Sequence, residues 1–77
     1  MNTIMEKVDG VYKETMFGHE DRDRAVENMA LLCGEYIREV QKEGIRCTIG
    51  AGNWDGYLVF RVIGKKDTIL KQWAIKK

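Results

Sequence analysis

The chain has 77 residues, 44% hydrophobic and 32% charged, with two cysteines, no proline and a formal net charge of +1. This length suits a single domain, 1–77, and the composition excludes a disordered chain and a disulfide scaffold. No apolar run approaches the ~20 residues that a membrane-spanning helix requires. The N-terminus also lacks the pattern of a signal peptide, so we expect a cytoplasmic protein without a membrane partner.

Charge is divided unevenly along the chain. Residues 1–44 hold six Lys or Arg and ten Asp or Glu, whereas residues 45–77 hold seven and two. The two halves therefore carry −4 and +5. This asymmetry predicts an acidic helical half joined to a basic strand half.

The first predicted element is a helix over residues 3–17. Thr3 and Glu6 have the spacing of a capping box, which satisfies free backbone donors at a helix start. Apolar residues then fall mostly on one side, and Gly18 is typical of a helix end.

A β-hairpin is the alternative for the same segment. Asp9-Gly10 is a strong signal for a two-residue turn. We favour the helix because neither hairpin face would be cleanly apolar, since one face would mix the side chains of Glu6, Val8, Val11 and Lys13.

A long amphipathic helix is predicted from Asp21 to Glu43. Its apolar residues fill an arc of roughly 160° at the helical spacing of about 100° per residue, wide enough to contact both a second helix and a sheet. The arc consists of Ala25, Val26, Met29, Ala30, Leu32, Cys33, Tyr36, Ile37 and Val40.

From residue 45 the pattern alternates with the period of strands. Three strands are predicted, 45–51, Tyr57–Ile63 and 68–75, separated by turn-rich segments. Short connections make them an antiparallel meander. The predicted fold class is therefore α+β, with two N-terminal helices packed on one face of a three-stranded antiparallel meander, α-α-β-β-β.

Basic and aromatic residues are interleaved on the predicted uncovered face of that sheet. Alternation turns Tyr57 and Arg61 outward, whereas the third strand is ambiguous, because Trp73 and Lys71 share a side that is either core or surface. If that side faces outward, the surface can neutralise phosphates and stack on bases. Its members would be Arg46, Tyr57, Arg61, Lys71 and Trp73.

Trp54 is the second candidate contact residue. It lies in the predicted loop 52–56 between Asn53 and Asp55, with little local core nearby. An exposed tryptophan is a common interface anchor, and the alternative is that it folds back over the end of the long helix.

The sequence contains no catalytic, cofactor or metal motif. Cys33, Cys47 and His19 are the only soft metal ligands and are widely scattered, whereas a structural zinc site needs four. The Gly50-Ala51-Gly52 fragment precedes a strand, although phosphate loops precede a helix. We therefore expect no enzyme, no metal and no cofactor.

These observations favour a small non-enzymatic binding protein that docks onto a protein or ribonucleoprotein complex. In its size and single-domain form, the chain resembles small accessory proteins of phages and mobile elements, including anti-CRISPR inhibitors of host systems. That resemblance is one of class, so it rests on no motif and assigns no residue. The predicted contact residues are Arg46, Trp54, Tyr57, Arg61, Lys71 and Trp73.

Two alternatives stay open at this point. The chain could bind nucleic acid directly through the basic, aromatic-bearing sheet face. It could also form a homodimer through that face or through the end of the long helix, with contacts at Val59, Ile63 and Leu31.

Overall fold

A computed structural model describes residues 1–76 of the chain. Within them, one α-helix and five strands form an α+β fold in which every strand pairing is antiparallel. The strand order in the sheet is β2-β1-β5-β4-β3. The elements are β1 (Ile4–Val8), β2 (Val11–Glu14), α1 (Arg22–Lys42), β3 (Thr48–Trp54), β4 (Tyr57–Ile63), a 3-10 turn (Lys65–Asp67) and β5 (Ile69–Lys76).

The prediction of two helices on a three-stranded meander is wrong. Residues 3–17, predicted as a helix, hold the hairpin β1–β2, and β1 pairs with β5 to widen the sheet to five strands. Asp9 and Gly10 have φ values of 51° and 81°, the left-handed conformations that a tight two-residue hairpin turn requires.

The mixed hairpin face is tolerated because the hairpin lies at the edge of the sheet. Glu6 shares the helix-covered face with buried Ile4, yet its carboxylate pairs with the Lys71 ammonium at 2.9 Å. Among the described residues, Ile4 is the only hairpin residue in the core cluster beneath the helix, so the rest of the hairpin needs no continuous apolar face. The capping box of Thr3 and Glu6 therefore does not form, because there is no helix for it to cap.

The long helix forms within the predicted range 21–43. Asp21 is its N-cap, and its carboxylate accepts a hydrogen bond from the Asp23 amide at 2.9 Å. Gly44, at φ 79°, follows its last turn. Among residues 1–76 there is no second α-helix for the wide apolar arc to contact, so most of the arc packs in the core against the sheet, whereas Ala30 at its margin is exposed.

The core lies between α1 and the central strands β5 and β4. Trp73 is 4% exposed and packs edge-on against Tyr36, with ring centroids 5.9 Å apart. Around this pair lie the fully buried residues Ile4, Ala25, Met29, Cys33, Val62 and Ile75. Burial of these side chains contributes about 1.5–3 kcal/mol for each large apolar residue.

The strand after the helix begins and ends three residues later than predicted. β4 occupies Tyr57–Ile63 as predicted, but β3 runs Thr48–Trp54 instead of 45–51. The reason is a second two-residue turn, at Asp55 (φ 49°) and Gly56 (φ 80°). Trp54 is therefore the last residue of a strand, with a fixed register opposite Tyr57.

Two glycine-to-alanine substitutions should change stability in opposite directions. A methyl group at Gly10 or at Gly34 would meet nothing within 4 Å, so neither substitution creates a clash. Gly10 has φ 81°, and Gly10→Ala should destabilise the protein by about 1–2 kcal/mol. Gly34 is helical, and Gly34→Ala should stabilise it by about 1 kcal/mol.

Urea or thermal unfolding monitored by circular dichroism measures both changes. About 1 kcal/mol corresponds to roughly 4–8 °C in Tm for a domain of this size. A neutral Gly10→Ala, or a destabilising Gly34→Ala, would contradict the assignment of these segments.

Candidate interface on the sheet face opposite the helix

The sheet has one face covered by α1 and one that no other element covers, which we call the open face. Strand register places alternate residues of all five strands on it. Its members are Met5, Lys7, Tyr12, Glu14, Thr48, Gly50, Gly52, Trp54, Tyr57, Val59, Arg61, Ile63, Gln72, Ala74 and Lys76.

Trp54 lies flat along the open face. A Cβ atom added at Gly52 would be 2.5 Å from the Trp54 ring, so the ring occupies space that only glycine leaves free. The guanidinium carbon of Arg61 lies 4.0 Å from the centroid of this ring. Such cation–π stacking contributes about 0.5–1 kcal/mol at exposed sites and more when the pair is desolvated. The side chain of Trp54 is nevertheless accessible, because the residue is 43% exposed.

A hydrogen-bonded chain continues from Arg61 across the sheet. Arg61 Nε donates to Gln72 Oε1 at 2.8 Å, and Gln72 Nε2 donates to the Tyr12 hydroxyl. Gln72 is only 5% exposed, the one buried polar residue among those described. Both ends of its amide are therefore satisfied, as a buried polar group requires.

Tyr12 is held in turn by two neighbours. Its ring stacks on Tyr57 with centroids 5.8 Å apart, and the Lys7 ammonium lies 5.5 Å from the Tyr12 centroid. Together these contacts join one residue or more from every strand. We call this set the polar-aromatic network: Lys7, Tyr12, Trp54, Tyr57, Arg61 and Gln72.

The network replaces a second covering layer. Val59 and Ala74 are on the open face but are 2% and 0% exposed, because open-face side chains cover them. A shallow cavity of about 230 Å³ remains within the network, bordered also by Asp55. The open face is thus a preorganised surface of aromatic rings and fixed polar groups.

The structure brings three of the six predicted contact residues together. Trp54, Tyr57 and Arg61 share the open face. Trp73 does not join them, because it is buried on the helix-covered face under Tyr36. It supplies core packing and no accessible ring.

The other two predicted residues are also elsewhere. Lys71 is on the helix-covered face, where it pairs with Glu6 at 2.9 Å. Arg46 is exposed in the α1–β3 connection and lines a cavity of about 660 Å³ near the C-terminal end of the helix, which reaches Thr48 and Ile63 at one end of the open face but not Trp54 or Arg61. The predicted basic cluster of Arg46, Arg61 and Lys71 therefore does not form on one surface.

Sequence reasoning missed Lys7, Tyr12 and Gln72. The first two depend on the hairpin, in which Lys7 is opposite Tyr12, so the Asp9-Gly10 turn signal could have found them. Gln72 shares one side of its strand with the apolar residues Leu70 and Ala74, and this is the available signal for it, because a central strand tolerates a buried polar group only with partners.

Cys33 is buried, Cys47 is half-buried, and His19 is hydrogen-bonded to the backbone near the start of the helix. Burial raises the pKa of the Cys33 thiol from 9.0 to about 11, and His19 Nδ1 accepts a hydrogen bond from the Asp21 amide at 2.9 Å. In the part of the chain that the structure describes, no three His, Cys, Asp or Glu residues are grouped so as to hold a metal ion. Nor is any helix in residues 1–76 long and apolar enough to cross a membrane.

Comparisons with known proteins identify no relative of this chain. No protein-family model, no curated protein and no solved structure matches the chain. The evidence for the candidate interface is therefore its geometry.

Removing the amide of Gln72 should destabilise the fold. Gln72→Leu keeps the approximate volume but leaves Arg61 Nε and the Tyr12 hydroxyl without their partners, at an expected cost of about 1–3 kcal/mol. The matched control is Gln41→Leu at an exposed helical position, where the change should be within about 0.5 kcal/mol. Equal effects of the two variants in urea unfolding would contradict a structural role for the network.

Stability should fall at alkaline pH because of Cys33. The folded state holds the thiol proton up to a pKa of about 11, whereas the unfolded state releases it above 9.0, so rising pH favours unfolding in this window. The loss should reach about 2 kcal/mol near pH ~10.5 at ~1.4 kcal/mol per pKa unit. Below pH 9.0 the contribution is fully present.

The test is to measure the free energy of unfolding as a function of pH and to compare the parent protein with cysteine variants. Cys33→Ala should lower stability at neutral pH by creating a small cavity, but should flatten the alkaline decline. Cys47→Ala retains Cys33 and should keep the decline. Parallel curves for the parent protein and Cys33→Ala would refute the assignment.

Proposed function

We propose that this chain is a small non-enzymatic binding protein that docks onto another protein through the open face, with Trp54 and Arg61 at the centre of the contact. The observation that carries the proposal is the fixed guanidinium of Arg61. It is held by the Trp54 ring on one side and by Gln72 at Nε. Within residues 1–76, no acceptor is bound to its two terminal nitrogens.

A guanidinium held in this way is suited to recognition. Free arginine side chains lose rotamer entropy on binding, but stacking and the Nε hydrogen bond restrict Arg61 in advance. Its two terminal nitrogens can donate to a carboxylate or to backbone carbonyls of a partner. The adjacent Trp54 supplies apolar contact area, and tryptophan and arginine are the residues that most often dominate binding energy at interfaces.

The charges of the open face favour a protein over a nucleic acid. Lys7, Arg61 and Lys76 are cationic, whereas Glu14 is anionic and Asp55 lies in the adjoining turn. A surface of mixed sign suits the polar rim of a protein interface. Binding to a phosphate backbone draws its affinity from a cationic excess, and this face has little.

The small size of the chain is typical of accessory proteins of phages and mobile elements, which suggests a complex of the host cell as the partner. Small accessory proteins of mobile elements commonly act by occupying a surface of a host complex, and the identity of the captured protein would decide whether this chain is an inhibitor of that kind. Nucleic-acid binding remains the alternative that the same experiment separates.

The test is capture of partners by the tagged protein from a lysate of its own host. The capture is run with and without nuclease, at low and at moderate salt. A nuclease-resistant protein, retained at moderate salt, is the expected result. Nucleic acid alone, lost as salt rises at roughly one power of salt per phosphate contact, would instead favour the alternative.

Point variants then locate the contact. Trp54→Ala and Arg61→Ala should each weaken binding to the captured protein by at least ~10-fold, equivalent to about 1.4 kcal/mol. Arg38→Ala is the matched control, because Arg38 is exposed on the helix. Binding is measured by calorimetry with the purified partner, and circular dichroism verifies that each variant is folded.

The proposal fails in either of two cases. Binding that survives both open-face substitutions in folded proteins would exclude this surface as the contact. Loss on Arg38→Ala with retention on Trp54→Ala would place the contact on the helix instead.

A further inference from the structure

The two edges of the sheet are built differently. The β2 edge has four residues, VYKE, and includes the charges of Lys13 and Glu14. The β3 edge has seven residues, TIGAGNW, with no charged residue and no proline. Proteins usually protect an exposed edge by shortness, charge or proline, because free backbone groups there can pair with another strand. The β2 edge has this protection and the β3 edge does not.

Backbone groups of three β3 residues point away from the sheet. Trp54 and Tyr57 flank the two-residue turn, and in such a hairpin the flanking residues form a hydrogen-bonded pair. The backbone N–H and C=O groups of Trp54, and of every second residue before it in β3, therefore bond to β4. The intervening residues Ile49, Ala51 and Asn53 direct their N–H and C=O groups outward. Within residues 1–76, none of these groups has a partner.

We propose that this edge pairs antiparallel with the same edge of a second copy of the chain, with the two-fold axis at Ala51. In this register Ala51 is opposite Ala51 of the second copy, and Ile49 is opposite Asn53 of the second copy. All seven residues overlap, and the three outward residues of each copy exchange about six N–H···O hydrogen bonds. If the two-fold axis lay at a residue other than Ala51, the middle residue of β3, fewer than seven residues of each strand would overlap.

Charge complementarity favours a second copy as the occupant. In the Ala51-centred register, Arg46 lies beside Asp55 of the second copy, and symmetry repeats this opposite-charge pair at the other end. Between them the seam contains no charge, so no like charges meet. In this register Gly50 is opposite Gly52 of the second copy, and both are on the open face.

The dimer would present a single continuous surface. Two five-stranded sheets would join across β3, and both open faces would lie on the same side. The two Trp54 residues would be six residues apart along the seam, or ~20 Å at about 3.4 Å per residue. The paired edge alone buries less than the ~1,200 Å² of a standard stable interface, so we expect a weak dimer, with Kd in the micromolar range or above.

The inference is tested by sedimentation equilibrium of the purified full chain from ~1 µM to ~1 mM, a range that brackets such a Kd. A reversible monomer–dimer equilibrium is expected. Ala51→Lys places two like charges at the two-fold axis and Ala51→Pro removes an outward N–H without touching a bond to β4, so each should raise Kd at least 10-fold. Ala30→Lys is the matched control, at an exposed helical alanine, and should leave Kd unchanged.

A further variant tests the register. Arg46→Glu places a carboxylate beside Asp55 of the second copy and should weaken the dimer, more at low salt than at high salt. Circular dichroism and thermal unfolding verify that each variant is folded. This test does not use the partner of the proposed function, so the two proposals can fail separately.

Three outcomes would overturn the inference. A monomer up to ~1 mM would show that the edge does not self-associate at the affinity expected for an interface of this size. A dimer unaffected by the Ala51 substitutions would place the interface elsewhere, such as on the open face. A chain that stays monomeric and binds an extended peptide through β3 would identify a different occupant.

Discussion

A single helix packs on a five-stranded sheet that is wider than the helix, and the rest of the structure depends on how the uncovered part of the sheet is stabilised. An α-helix with its side chains is ~10 Å wide, whereas five strands spaced ~4.8 Å apart extend ~19 Å from the first to the last. In this chain α1 packs mainly on the central strand β5 and its neighbour β4, and leaves the edge strands β2 and β3 uncovered. In each uncovered part of the sheet, apolar side chains must therefore be covered by neighbouring side chains, and backbone polar groups must find hydrogen-bond partners without a second layer.

The open face meets this requirement with its own large side chains. Trp54 occupies the space above Gly52, and the chain from Arg61 through Gln72 to Tyr12 spans four strands. These contacts bury small and β-branched neighbours without a second layer. They also fix in advance the groups that a partner would meet, so the arrangement that stabilises the fold lowers the entropic cost of binding.

The sequence predicted those parts of the fold that depend on local pattern. The helix range, the bounds of β4 and its outward Arg61 all follow from periodicity, because α1 and β4 each have one covered side. Trp73 was ambiguous for a physical reason: β5 is central and buried on both faces, so it has no polar side to set the alternation. A cleanly apolar face, the criterion that disfavours the hairpin, is required only of strands that another element covers. The counter-ion of Glu6 is Lys71, a partner far along the chain that no local pattern reveals.

The division of charge between the two halves of the sequence does not become a division between two surfaces. Because β1 pairs with β5, the acidic half adds its hairpin directly beside the three strands of the basic half, in the same sheet. Glu6 consequently neutralises Lys71, and Arg22 donates to the Lys76 carbonyl oxygen at 3.1 Å. Arg61 on the open face is distinguished by its contacts with Trp54 and Gln72 and not by a surrounding excess of positive charge. If the open face binds a partner as proposed, it would discriminate by shape and hydrogen-bond geometry, and its affinity should depend less on ionic strength than the +5 charge of residues 45–77 suggests.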